Sequence, residues 1–173
     1  LFHNSQPKVL AVESSFLEPL VPVLSRFQSI KHVMDLGSKY EGQFLSYERI
    51  MATSSAHRVE VELEPEDVAC IHYCSGPIFH PRGVMLSHGN LVRVATLQSE
   101  WFQQTDKDVV MLHALPMHYV FGLAVVLLTS ISKGSTVVMS VGSSIRSVNE
   151  TIERERVTVF LGVPFTYASA INV

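Results

Sequence analysis

The sequence predicts an α/β fold in which a mostly parallel sheet is covered by helices on both faces. Three observations favour this class: short apolar runs rich in Val and Ile, segments with helical spacing between them, and a regular alternation of the two along the chain. Nearly unbroken apolar strands are typical of strands that are buried on both faces. Each parallel pairing also needs a long crossover, which the intervening helices would supply.

Six apolar runs are predicted to be strands. They cover residues 8–12, 31–36, 68–74, 109–115, 136–141 and 157–163. The segments between these runs place apolar residues at helical spacing. The predicted helices cover residues 15–28, 47–54, 88–102, 119–132, 145–155 and a last segment that begins at Pro164. Ser87 stands directly before the third helix, and a serine in this position is typical of an N-cap.

Composition and charge exclude several functional classes. The chain has 173 residues, of which 47% are apolar, enough for a substantial core. Its net charge of −3 gives no reason to expect duplex nucleic acid or an anionic membrane as the main partner. Polar residues interrupt the longest apolar stretch, 109–131, and leave about a dozen apolar residues, fewer than the ~20 of a membrane span. The chain starts at Leu1 without a signal-peptide pattern, so we expect it to begin within a longer protein.

An acidic segment at residues 60–67 contains Pro65 and precedes the most apolar predicted strand. We expect a sub-domain boundary here, within one partial domain that covers residues 1–173. A short charged run is also typical of a solvated surface loop, and this alternative stays open.

The two cysteines, Cys70 and Cys74, lie on the same predicted strand. Residues four apart on a strand are separated by about 13 Å, too far for a disulfide, so we expect free thiols, a reducing compartment and a cytoplasmic protein. Alternation along the strand places Cys70, His72 and Cys74 on one face. A soft metal site would use such residues, but structural Cys/His sites usually have two-residue gaps across a turn. We therefore expect no metal site and interpret the cysteines as packing residues.

The loop after the strand 68–74 carries the main functional signal. Gly76 and Gly83 bound it, and Arg82 supplies a cation. Glycines let backbone N–H groups approach an anion, and a fixed cation neutralises phosphate oxygens. We expect the strand to pass through this loop directly into the helix capped by Ser87. On these residues alone, a phosphate-binding loop and a plain turn between strand and helix are both open.

The loop and the helix start resemble the phosphate-binding segment of the AMP-forming adenylating enzymes, the family of acyl-CoA synthetases, aryl-CoA ligases, luciferase and peptide-synthetase adenylation domains. That segment has the pattern Ser/Thr-Ser-Gly-Thr-Thr-Gly-x-Pro-Lys-Gly-Val, followed by Met-x-Ser/Thr-His-x-Asn-Leu. The matching positions are Cys74, Ser75, Gly76, Pro81, Gly83, Val84, Met85, Ser87, His88, Asn90 and Leu91. The resemblance implies that Ser75, Gly76, Arg82 and Gly83 approach the nucleotide phosphates.

Three later segments resemble the same family in the right order, so that the resemblance covers the whole chain. Residues 115–123 are similar to its Leu-Pro-x-Phe-His-x-x-Gly segment, 133–138 to its Ala-Gly-Ala-Thr-Val-Val strand and 157–164 to its Val-Thr-x-x-x-x-Val-Pro strand. The first of these implies that His118, Tyr119, Phe121 and Gly122 border an acyl pocket.

The loop departs from the family pattern in its middle. Pro77, Ile78 and Phe79 replace the family's Thr-Thr-Gly, and Arg82 stands at the lysine position. Hydrogen bonds to charged groups contribute roughly 1.5 to 3 kcal/mol each. The loss of three phosphate contacts therefore predicts ATP binding that is weaker by several powers of ten.

The resemblance implies that the intact protein is an ATP-dependent, AMP-forming ligase that activates an acyl or aryl acid as its adenylate and transfers it to a thiol. It implies ATP and Mg²⁺ as cofactors and coenzyme A as the acceptor. The family's adenine-binding strand, its magnesium-binding glutamate and its C-terminal catalytic lysine have no counterpart here, so we expect the chain alone to be inactive. The alternative is a non-catalytic scaffold or binding domain with impaired ATP binding. We also expect self-association through exposed sheet edges or faces.

Overall fold

The computed structural model describes residues 1–37, 39–40, 42–76, 80–112, 115, 117–139 and 145–171. The chain forms two compact units, Leu1–Glu62 and Leu63–Val173. This division falls inside the acidic segment 60–67. That the segment separates sub-domains of a large adenylating domain stays a prediction.

The first unit contains a three-stranded parallel sheet. Its elements are α1 (Phe2–Ser5), β1 (Val9–Val12), α2 (Ser14–Leu24), β2 (His32–Asp35), β3 (Leu45–Ser46) and α3 (Tyr47–Thr53). The strands pair in the order β1-β2-β3, and both pairings are parallel. α2 is the crossover between β1 and β2, and its Leu17 side chain is completely buried.

Asp35 is a buried carboxylate at the carboxyl end of β2. Its Oδ1 accepts hydrogen bonds from Ser14 Oγ at 2.5 Å and from the Gly37 N–H at 3.0 Å, and its Oδ2 accepts one from the Tyr40 N–H at 2.9 Å. Burial alone would raise the pKa of Asp35, but these hydrogen bonds outweigh it and lower the pKa. The charged carboxylate thus holds the turn after β2 against the start of α2.

The second unit combines an antiparallel hairpin with a parallel sheet and helices. Its elements are β4 (Val68–Cys74), β5 (Arg82–Ser87), α4 (His88–Trp101), β6 (Val109–Leu112), a π-helix (Phe121–Leu128), α5 (Thr129–Lys133), β7 (Thr136–Met139), α6 (Ile145–Glu155), β8 (Val159–Phe160) and α7 (Pro164–Ile171). β6 lies between β7 and β8 and is parallel to both. The buried core here contains Val110, Leu115 and Val126, with Val137, Val159 and Leu161 packed against them.

Asp108 joins the starts of neighbouring strands in this sheet. Its Oδ2 accepts hydrogen bonds from the N–H of Thr105 at 2.7 Å and from its Oγ1 at 3.0 Å, and its Oδ1 accepts one from Thr158 Oγ1 at 2.8 Å. The hydrogen bond from the Thr105 N–H, aided by the two hydroxyls, lowers the pKa of Asp108 against a smaller opposing effect of burial. The ionised carboxylate therefore connects the residues that lead into β6 and β8.

The predicted α/β class is confirmed, and a strand lies within each of the six predicted runs. The prediction that the strand 68–74 passes through a loop directly into a helix is wrong, because β5 intervenes and pairs antiparallel with β4. Pro81 and Gly83 disfavour a strand in the sequence pattern, since proline lacks an N–H and glycine lacks a side chain to pack. The parallel strands also belong to two separate three-stranded sheets.

The predicted helix start at Ser87 is confirmed. Ser87 Oγ accepts a hydrogen bond from the Asn90 N–H at 3.2 Å, and Asn90 Oδ1 accepts one from the Ser87 N–H at 3.1 Å. This reciprocal pair is a capping box, with asparagine in the place where glutamate or glutamine is usual. The box fixes the point at which the hairpin ends and α4 begins.

The predicted helix 119–132 has an unexpected geometry. It consists of the π-helix Phe121–Leu128 followed by α5. The Thr129 hydroxyl donates to the carbonyl of Ala124, and the Ser130 hydroxyl donates to that of Val126, so buried side chains satisfy backbone groups at the junction. Within the described part of the chain, no helix has both the length and the apolar character needed to cross a membrane.

Candidate active site

The hairpin of β4 and β5 presents two different faces. Cys74 pairs with Arg82, His72 with Val84 and Cys70 with Leu86. Residues directly opposite each other share a face, so these six side chains form one face, in agreement with the predicted alternation of Cys70, His72 and Cys74. The other face carries Ile71, Tyr73, Gly83 and Met85. From the loop end outward, the first face thus runs from the Cys74–Arg82 pair through His72 to Leu86.

A cavity of about 470 Å³ is lined on the hairpin by four residues of this first face and by Tyr73 of the other face. The residues that line it are His72, Tyr73, Cys74, Ser75, Val84, Leu86, His118, Tyr119 and Val120. The hairpin and the start of the phosphate loop form one part of the lining, and the segment before the π-helix forms the other. Ser75, from the predicted phosphate-binding loop, and His118 and Tyr119, from the predicted acyl-pocket segment, thus line one cavity although they lie about forty residues apart in the sequence.

Gly76, in the predicted phosphate-binding loop, has a backbone conformation that favours glycine. Its φ is +61°, in the left-handed region. A Cβ built on Gly76 would collide with the carbonyl oxygen of His80 and lie 3.6 Å from Arg82 Cγ. The backbone at Gly76 and that at His80 therefore approach closely across the loop. The substituted positions Pro77, Ile78 and Phe79 lie outside the described residues.

Arg82 begins β5 at the loop end of the cavity face, and its side chain is exposed. Its carbonyl accepts a long hydrogen bond from the Cys74 thiol at 3.7 Å. Arg82 is not among the residues that line the cavity. Its predicted approach to nucleotide phosphates stays a prediction.

Gly83 lies on the opposite face of the hairpin. A Cβ there would lie 2.8 Å from Ile71 Cγ2 and 3.1 Å from the Tyr73 ring. The glycine thus leaves room for these two side chains. Its predicted contact with nucleotide phosphates also stays a prediction.

The acyl-pocket segment contributes two rings to the cavity. The ring centroids of His118 and Tyr119 are 4.5 Å apart with planes tilted by 39°. The predicted residues Phe121 and Gly122 come next, as the first residues of the π-helix, where Gly122 is buried and Phe121 is partly exposed. These two do not line the cavity. Of the eight predicted site residues, the cavity thus brings together Ser75, His118 and Tyr119.

The cavity lining carries no negative charge. None of the described residues that line it is Asp or Glu, and Ser75, His72, His118 and Tyr119 can all donate hydrogen bonds. Such a lining favours an anionic ligand over a cationic one. In the described part of the chain, no cluster of three His, Cys, Asp or Glu side chains could hold a metal ion. Both cysteines are free thiols, and burial raises the pKa of Cys70.

Sequence reasoning assigned no role in the site to His72, Tyr73, Val84, Leu86 or Val120. Strand alternation does place His72 on the same face as Cys74, but in the sequence this pattern indicates only a possible metal site. Val84 is a matching position of the family motif, but without β5 in the prediction neither Val84 nor Leu86 is placed beside His72. Val120 lies within the resembling segment 115–123, at a position to which the resemblance gives no role.

Comparison with known proteins identifies the family. The sequence profile of the AMP-binding enzymes matches residues 1–172. The chain belongs to the AMP-binding enzyme family. Among solved structures, the anthranilate CoA ligase AuaEII in complex with anthranoyl-AMP superposes with a TM-score of 0.89 at 21% identity, over 99% of this chain and 34% of that chain. ATP-bound MatB from Rhodopseudomonas palustris gives a TM-score of 0.83 at 21% identity, over 99% of this chain and 33% of that one.

Curated relatives of this chain include CoA ligases. The malonate–CoA ligase ACSF3 of Homo sapiens is 39% identical over 108 residues, which is 60% of this chain and 18% of that protein. The benzoate–CoA ligase of Thauera aromatica is 25% identical over 169 residues, which is 97% of this chain and 32% of that protein. The chain thus spans a third or less of the length of these relatives.

Proposed function

We propose that this chain is the part of an AMP-forming acid–CoA ligase that binds the ATP phosphates and borders the acyl pocket. The observation that carries the proposal is the cavity shared by Ser75, His118 and Tyr119. Adenylation requires the carboxylate of the acid to stand in line with the α-phosphate of ATP. A phosphate loop and an acyl-pocket wall that meet at one cavity are what this arrangement needs.

In the proposed reaction, a carboxylate oxygen of the acid attacks the α-phosphorus of ATP and pyrophosphate leaves. The thiol of coenzyme A then attacks the acyl carbon, and AMP leaves. Ser75 Oγ and the Gly76 N–H would donate to phosphate oxygens, and Arg82 would offset their charge from the loop end of the hairpin. His118 and Tyr119 would border the acid. The lack of acidic lining side chains avoids repulsion of either anion.

Magnesium is implied by the family resemblance, but the described residues do not fit it. Mg²⁺ prefers oxygen ligands, usually including carboxylates. No carboxylate lines the cavity among the described residues, so we assign no magnesium ligand to them.

A cytoplasmic location, favoured by the two unpaired cysteines, is part of the same proposal.

A second function is favoured by one specific observation. The two threonines of the family's phosphate loop are replaced by Pro77 and Ile78, and its second glycine by Phe79. Pro77 has no N–H to donate, and neither it nor the other two carries a side-chain hydroxyl. A loop changed in this way favours a binding or scaffold domain that no longer binds ATP.

Calorimetric titration with ATP and Mg²⁺ separates the two functions. A ligase predicts measurable binding by the intact protein that contains this chain and a loss of roughly tenfold to a hundredfold in affinity for Arg82→Ala, since a hydrogen bond to a charged group is removed. Arg93→Ala is the matched control, because Arg93 is an exposed arginine on α4 in the same unit. It should bind as the wild type does. No binding at millimolar ATP would overturn the ligase proposal and favour the scaffold.

A further inference from the structure

His72 is a half-buried imidazole with no assigned task in the proposed reaction. It lines the cavity from β4 and pairs with Val84 across the hairpin. No described residue forms a hydrogen bond or an ion pair with its side chain. A partly buried polar group gains from a hydrogen bond, and an imidazole that lines a cavity can make one to a ligand.

The position of His72 along the hairpin defines which part of a ligand it would meet. The phosphate loop is at the end formed by Ser75 and the Cys74–Arg82 pair, so the reacting carboxylate of the acid must lie at that end. Alternate residues on one strand face are separated by about 6.6 Å. His72 is therefore one such step away from Cys74, and Leu86 lies beyond it.

The surroundings of His72 make it the distinguishing polar group of this wall. Val84 is its cross-strand partner, Leu86 follows on the same face, and Val120 lines the cavity from the other segment. An unsubstituted alkyl or aryl tail along this wall would leave the imidazole unpaired. A tail with an oxygen substituent would form a hydrogen bond with it, and a hydrogen-bonding group that the bound ligand shields from water discriminates against the analogue that lacks the partner.

We propose that His72 is a specificity-determining residue, which selects carboxylic acids whose tail carries a hydroxyl or a second carboxyl group. This proposal rests on the proposed ligase function. In it, the imidazole hydrogen-bonds the oxygen substituent while the reacting carboxylate lies beside Ser75. Hydroxyl and carboxyl substituents share the chemistry that His72 recognises, and the test below separates them.

The test is acid-dependent pyrophosphate release by the intact protein that contains this chain. Matched pairs of acids differ by one oxygen substituent: 4-hydroxybenzoate against benzoate, and succinate against butyrate. The wild type should prefer the substituted member of one pair in kcat/KM. His72→Leu should reduce that preference about tenfold, because kcat/KM for the substituted acid falls while kcat/KM for the plain acid is unchanged or higher.

Two control variants keep the outcomes distinct. His72→Gln retains a hydrogen-bonding side chain and should retain most of the preference, which a purely structural role of His72 would not predict. His57→Leu makes the same substitution at an exposed histidine outside the cavity and should leave the preference unchanged. An equal preference in the wild type and His72→Leu would overturn the proposal for His72. Failure of the wild type to release pyrophosphate with any acid would instead overturn the proposed function.

Discussion

The replacement of Gly76 by alanine should destabilise the second unit for two additive reasons. The left-handed φ of +61° costs a residue with a Cβ roughly 1–2 kcal/mol. The new methyl group would also collide with the His80 carbonyl, and overpacking of this kind costs roughly 1–3 kcal/mol. We therefore expect Gly76→Ala to lower the free energy of unfolding by about 2–5 kcal/mol.

Gly134→Ala separates the two contributions. Gly134 has a φ of +71°, but the nearest heavy atom to a Cβ there is Asp106 Cβ at 4.0 Å. This variant should lose only the conformational part, about 1–2 kcal/mol. Both glycines lie in the second structural unit, and urea denaturation followed by circular dichroism measures the loss of unfolding free energy in each variant. Equal losses would refute the reasoning, because they would mean that the His80 carbonyl does not lie against Gly76.

Two further predictions concern charge and surface. Because hydrogen bonds lower the pKa of Asp108, its stabilising effect should be fully present above the ordinary aspartate pKa of about 3.9 and should disappear as the pH falls through the lowered pKa of the folded state. The difference in urea midpoint between the wild type and Asp108→Asn should therefore narrow over that acid range. A difference that stays constant with pH would contradict the hydrogen bonds assigned to Asp108. The chain exposes large apolar side chains such as Trp101, Phe165 and Ile171, so light scattering should show a mass that rises with concentration, whereas a constant monomer mass would contradict self-association.

Local patterns in the sequence were sufficient for much of the fold. Period-two alternation placed Cys70, His72 and Cys74 on one face, because side chains on a strand alternate whatever the strand packs against. The serine before α4 identified a helix start, because a capping hydroxyl acts within one turn. Such features depend on residues that are close in the sequence, and the structure confirms them.

The hairpin and the cavity depend on longer-range contacts. β5 has a weak strand pattern because of Gly83, and pairing with β4 compensates for that weakness. The meeting of Ser75 with Tyr119 follows from tertiary packing of the hairpin beside the segment before the π-helix, which no local spacing encodes. The family resemblance implied functional residues both in the loop that contains Ser75 and in the segment that contains Tyr119. It did not include His72, which lies outside the quoted motifs.

The central claim is that the phosphate loop and the acyl-pocket segment form one site. Its most direct test is an NMR titration of the isotope-labelled chain with a non-hydrolysable acyl-adenylate analogue. Because this ligand carries both the phosphate and the acyl group, the account predicts that the amide signals of Ser75, Gly76, His118 and Tyr119 shift together along a single binding curve. Shifts confined to one of the two segments, or no shift in either, would contradict it.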